Sequence, residues 1–113
     1  MEHRFLEFVW LPSFERTAKK LLSDEDCRAI EVILCEEVTA GELMPRTGGF
    51  RKLRYGPPGR GKRGGVRIVY LPVVSRARVL LALAYDKSDK TTLTRQEEDD
   101  LLAISRALSR KTE

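Results

Sequence analysis

Between residues 48 and 71 the chain reads Gly48-Gly49-Phe50-Arg51-Lys52-Leu53-Arg54-Tyr55, then Gly56-Pro57-Pro58-Gly59-Arg60-Gly61-Lys62-Arg63-Gly64-Gly65, then Val66-Arg67-Ile68-Val69-Tyr70-Leu71. The first and last parts have the β-branched, aromatic and alternating character of strands. The link between them holds five glycines and two prolines, a composition that cannot sustain a helix. The whole segment is a strand, a cationic glycine loop and a second strand. Seven Lys or Arg lie between Gly48 and Tyr70 with no acid among them. A cationic surface held on a β scaffold is suited to a polyanion.

Outward from this segment the charge stays sorted. Residues 1–42 hold ten acids and five bases, residues 43–85 no acids and ten bases, and residues 86–113 seven acids and six bases. The net charge of +4 therefore understates the middle third. A chain of 113 residues with 42% hydrophobic and 34% charged residues is expected to form one domain, residues 1–113, with a proper core. No apolar run approaches the ~20 residues of a membrane span. Glu2 and Glu7 interrupt what would be the apolar part of a signal peptide, so a cytoplasmic protein without membrane contact is expected.

The flanking segments supply the other elements. His3–Leu11 reads as a first strand ending at Pro12. Ser13 is the expected cap of a short helix over Phe14–Leu22. Ser23 with Asp26 forms a capping box for a second helix, with Cys27, Ile30, Leu34 and Val38 as its apolar stripe. Pro72 and the polar Ser75–Arg78 predict a turn, followed by a third strand of the core, Val79–Tyr85, apolar on both faces. Thr94 with Glu97 is a second capping box, opening a helix that buries Leu101, Ile104 and Leu108. The prediction is an α+β fold ordered β-α-α-β-β-β-α. A small antiparallel sheet packs on an N-terminal helical hairpin and a C-terminal helix. Alternation places Lys52, Arg54, Arg67 and Tyr85 on the open face, and Val79, Leu81, Leu83 and Tyr85 together.

Other motifs carry less. Gly56-x-x-x-x-Gly61-Lys62 approaches a phosphate-binding P-loop, but Arg63 stands where a Ser or Thr must bind magnesium, and a strand follows in place of a helix. His3 is the only histidine, which excludes a two-histidine ribonuclease. Cys27 and Cys35, eight apart on a helix and so ~12 Å apart along its axis, are too distant for a disulfide and read as buried structural thiols. The acidic clusters Asp24–Asp26 and Glu97–Asp100 sit at helix starts, where the dipole favours them, so no metal site is expected. Charge runs are usually only solvated. Here the run lies on strands and is interleaved with Phe50, Tyr55, Tyr70 and Tyr85, whose rings are the expected platforms for bases.

Gly48–Arg54, the run Gly61-Lys62-Arg63-Gly64-Gly65-Val66-Arg67-Ile68-Val69-Tyr70, Ala84–Lys87 and Leu93-Thr94 resemble the RelE superfamily of bacterial toxins, in particular its HigB-like branch. The resemblance extends from Phe14 to Leu108. It implies the toxin of a type II toxin–antitoxin pair, cleaving mRNA in the ribosomal A site without a metal or cofactor. The implied partners are a cognate antitoxin, the ribosome and mRNA, with operator DNA reached only through the antitoxin complex. Lys52 and Arg54 fall on the family's paired basic positions, and Arg67 on its catalytic arginine. Tyr85 and Lys87 fall near further active-site positions. Arg51, Arg60, Lys62 and Arg63 are the expected RNA-binding residues. Leu93 stands about where RelE-type members carry a functional tyrosine, and Tyr85 is the expected substitute for it.

The residues suit such chemistry. RNA supplies its own 2′-OH nucleophile, arginine gives two parallel hydrogen bonds to phosphate, and a lysine crowded by cations can act as base. A pocket with neither His nor carboxylate is expected to depend on the ribosome for geometry. Two alternatives belong to other classes, a ParE-type toxin that inhibits gyrase by protein binding and a non-catalytic RNA-binding module.

Overall fold

The computed structural model describes residues 6–57, 65–88 and 92–112. It is an α+β fold in which three helices pack on a five-stranded mixed sheet. The elements are β1 (Glu7–Trp10), α1 (Pro12–Leu21), α2 (Asp24–Glu36), β2 (Glu42–Leu43), β3 (Arg51–Tyr55), β4 (Val66–Val73), β5 (Arg78–Asp86) and α3 (Arg95–Thr112), in the sheet order β1-β5-β4-β3-β2. The expected antiparallel sheet is corrected in two respects. β1 lies parallel to β5, and the two-residue strand β2 adds an edge beside β3.

Both capping boxes form. Ser23 and Asp26 exchange hydrogen bonds of 3.0 Å at the start of α2, and Thr94 and Glu97 do the same before α3. Ser13 does not cap α1. Leu11 occupies the cap position and Pro12, with its ring-fixed φ and no N–H to satisfy, opens the helix. Pro72 does not end its strand either: β4 runs through it to Val73, paired with β5 on one side. The chain then turns through a 3₁₀ segment, Val74–Arg76, with Ala77 in the left-handed region.

The sheet carries a core on each face. On one, α1 and α2 cover Leu53, Val66, Ile68, Tyr70, Val79, Leu81 and Ala84 with Phe14, Ala18, Ile30 and Leu34. On the other, α3 contributes Leu101, Ile104 and Leu108 to a cluster with Phe50, Val69, Leu71, Leu80, Ala82 and Tyr85. The Ser105 hydroxyl fastens α3 by donating to the Gly48 carbonyl at 2.6 Å.

A bulge on β5 decides which side chains share a face. Val69 pairs with Leu83 and Tyr70 with Leu81, so Ala82 is an extra residue on β5. Beyond it the alternation changes phase. Val79 and Leu81 face the helical hairpin while Tyr85 faces the opposite side, which corrects the expectation that these residues share a face. α1 satisfies the backbone groups at this irregularity: the Ser13 hydroxyl donates to the Ala82 carbonyl, and the Ala84 N–H donates to Thr17 Oγ1 at 3.0 Å.

Candidate functional site

On the α3 side of the sheet the strand register builds two rows. Arg54, Arg67 and Tyr85 are directly opposite one another on β3, β4 and β5, and side chains so paired lie on one face. The next row runs from Glu42 on β2 through Lys52 and Val69 to Leu83. α3 covers the apolar end of this face, and the charged end borders a cleft of about 360 Å³ lined by Ala40, Glu42, Lys52, Arg54 and Arg67. The structure thus brings three of the sequence-predicted cations to one cleft.

Arg67 is half-buried, and its Nη1 is buried with no hydrogen-bond partner among the described residues. A buried guanidinium donor without an acceptor is costly, and an anionic oxygen is the partner that suits it best. Gly65 leads into the strand that carries Arg67. It adopts φ +90°, favourable for glycine, and a Cβ there would crowd the Tyr55 carbonyl at 3.2 Å while lying 3.9 Å from Arg67 Nη1. The Gly65 carbonyl in turn accepts the Lys87 N–H at 3.2 Å, which ties the end of β5 to the start of β4.

Tyr85 is 6% exposed. Burial pushes its phenol above the ordinary value, the Arg67 charge works against that rise, and Glu97 adds to it. The group is therefore a proton donor at neutral pH rather than a base. Leu93 is buried beside Tyr85 in the same apolar cluster. Lys87 is exposed on the turn after β5 and does not line the cleft.

Arg51 belongs elsewhere. Its Nη1 donates to the Gly41 carbonyl at 2.8 Å and the Thr39 carbonyl at 3.4 Å, so it clamps the loop between α2 and β2. Gly41 is the centre of that clamp. Its N–H donates to the Tyr70 hydroxyl at 2.9 Å, and a Cβ would lie 2.9 Å from the Lys52 carbonyl and from the Tyr70 ring. The expected loop contacts Arg60, Lys62 and Arg63 lie outside the described residues.

The expected aromatic platforms are also corrected. Phe50 and Tyr70 are fully buried, and Tyr70 donates to the Val38 carbonyl at 2.8 Å. Tyr55 turns toward α2 and donates to Asp26 Oδ1 at 2.9 Å. Of the four, Tyr85 alone is paired directly with a cation of the cleft, Arg67. Sequence reasoning missed Glu42, which the pairing of β2 with β3 sets opposite Lys52; the cleft does contain a carboxylate. A two-residue strand leaves no periodic signal from which Glu42 could have been placed.

Among the described residues no three His, Cys, Asp or Glu side chains converge as a metal-binding group, and no helix is long and apolar enough to cross a membrane. No protein-family model matches the chain.

Proposed function

We propose that this chain is the toxin of a type II toxin–antitoxin pair, a ribosome-dependent, metal-independent endoribonuclease that cuts mRNA in the A site and is silenced by a cognate antitoxin. One observation carries the reading: Arg54 and Arg67 share a cleft, with a buried Arg67 donor that has no acceptor among the described residues. Two guanidinium groups so placed suit a phosphodiester whose charge rises during reaction.

In this reading the RNA 2′-oxygen attacks the adjacent phosphorus, and the bond from phosphorus to the 5′-oxygen breaks. The products are a 2′,3′-cyclic phosphate and a 5′-hydroxyl. Arg67 and Arg54 hold the non-bridging oxygens as they gain charge. The 2′-proton passes to Glu42, the carboxylate opposite Lys52 at the cleft, and Tyr85 delivers a proton to the leaving 5′-oxygen. A correctly placed acid or base contributes ~10²–10⁴-fold, so ribosomal positioning of the strand supplies much of the remaining acceleration.

Pulse labelling after expression of the chain alone tests this function. Protein synthesis should stop while DNA replication continues, and co-expression of the antitoxin should restore growth. Continued protein synthesis with halted replication would instead support gyrase inhibition.

A further inference from the structure

A second cavity adjoins the cationic cleft. It has a volume of about 220 Å³ and is lined by Glu42, Leu43, Met44, Pro45, Lys52, Tyr85, Thr92, Leu93 and Glu98. Glu42 and Lys52 line both spaces and so form the wall between them. The chemistry changes across that wall. The first space is dominated by guanidinium groups, whereas the second has apolar sides from Leu43, Met44, Pro45 and Leu93, with carboxylate and hydroxyl acceptors at its margin.

We propose that this second cavity is a nucleobase pocket that selects guanine, beside the phosphate-binding cleft and resting on the RNA-cleaving reading of that cleft. An RNA strand whose phosphate lies on Arg54 and Arg67 carries a base within reach of an adjoining space. Phosphate suits the guanidinium side, while a flat, partly apolar ring with polar edges suits the other. Glu98, on the first turns of α3, is the reading group. It makes no hydrogen bond or ion pair through its side chain with any described residue, and Arg95 of the same turn pairs with Asp99 instead.

The donor and acceptor pattern sets the preference. A carboxylate accepts two parallel hydrogen bonds from adjacent donors. Guanine presents such a pair, N1–H and N2–H₂, with the O6 acceptor next to them. The Lys52 ammonium on the shared wall is a donor suited to O6. Adenine and cytosine offer one amino group beside a ring-nitrogen acceptor that a carboxylate repels. Uracil offers a single N–H between two carbonyls. Single-stranded RNA is commonly read on these edges.

Titration of the isotopically labelled protein with GMP, AMP, CMP and UMP, followed by amide chemical shifts, tests the pocket. All four nucleotides should perturb residues around Arg54 and Arg67 through their phosphate. GMP alone should also perturb Leu43, Met44 and Leu93, and should bind about 10-fold or more tightly than UMP, the effect of hydrogen bonds to a charged acceptor. Glu98→Gln should bring GMP down to the level of the others and leave UMP unchanged. Equal binding of all four, or a GMP preference that survives Glu98→Gln, would overturn the pocket while leaving the cationic cleft as described. Absence of binding by all four would also overturn it, and the nuclease reading would then be judged by cleavage on ribosomes.

Discussion

Arg54 and Arg67 stand directly opposite each other across the β3–β4 ladder, two like charges on one face of the sheet. Like charges in this position destabilise a sheet by roughly 0.2–1 kcal/mol. In the proposed function this loss of stability is offset when an anionic phosphate is held between them. Arg54→Gln should therefore raise the thermal midpoint at low salt. Inorganic phosphate should stabilise the wild type more than the variant. Calorimetry over a phosphate series measures both effects, and equal phosphate stabilisation of the two proteins would remove Arg54 from the anion site.

The bulge at Ala82 is predicted to depend on α1. Thr17→Val deletes the oxygen that accepts the Ala84 N–H and leaves that donor unmatched, at a cost of about 1–3 kcal/mol. Chemical denaturation would read the loss. Because the bulge sets the phase that carries Tyr85 to the Arg67 side, the variant should also lose cleavage activity beyond what its stability explains. A variant as stable as wild type would show that the hydroxyl is dispensable.

Gly41→Ala is expected to disturb the site from behind. The added methyl would meet the Lys52 backbone and the Tyr70 ring at 2.9 Å, and both are held on the sheet. The β2 edge should move, taking Glu42 away from Lys52. Amide hydrogen exchange should show lost protection at Leu43 and Arg51, with β4 and β5 unaffected. Unchanged protection across β2 and β3 would contradict this packing.

Alkaline stability isolates Tyr55. Burial first, and then the bond to Asp26, push its phenol up to about 12. The folded state thus holds this proton more tightly than the unfolded chain. The contribution is whole below about pH 10, the ordinary tyrosine value, and is lost as pH climbs through about 12. Tyr55→Phe should flatten the fall in stability over that window. An identical pH dependence in the variant would show that the phenol titrates normally.

Parts of this molecule were legible in the sequence because they rest on local rules. The two capping boxes, the apolar stripe of α2 and the strands flanking the glycine loop follow from spacing alone. So does the alternation that sets Lys52 and Arg54 on one face and Arg51 on the other. Non-local pairing was not legible. The parallel partnership of β1 with β5 and the edge strand β2, which brings in Glu42, depend on distant residues. The bulge at Ala82 depends on hydroxyls supplied from α1, so simple alternation along β5 placed Leu81 and Tyr85 together. Tyr85 was expected on the open face from the β5 strand, and the phase change is what takes it there. Phe50, Tyr55 and Tyr70 show the opposite failure: aromatic rings among basic residues read as base platforms, yet each fills the core or anchors a helix or loop.

The central claim is that Arg67 stabilises charge developing on a phosphodiester, and cleavage of ribosome-bound mRNA by Arg67→Ala and Arg67→Lys tests it most directly. Arg67→Ala should lower the cleavage rate by on the order of 10²-fold or more while circular dichroism shows a folded protein. Arg67→Lys should remain well below wild type, since an ammonium cannot offer two parallel donors. A folded Arg67→Ala variant that cuts mRNA on ribosomes at near the wild-type rate would contradict the account.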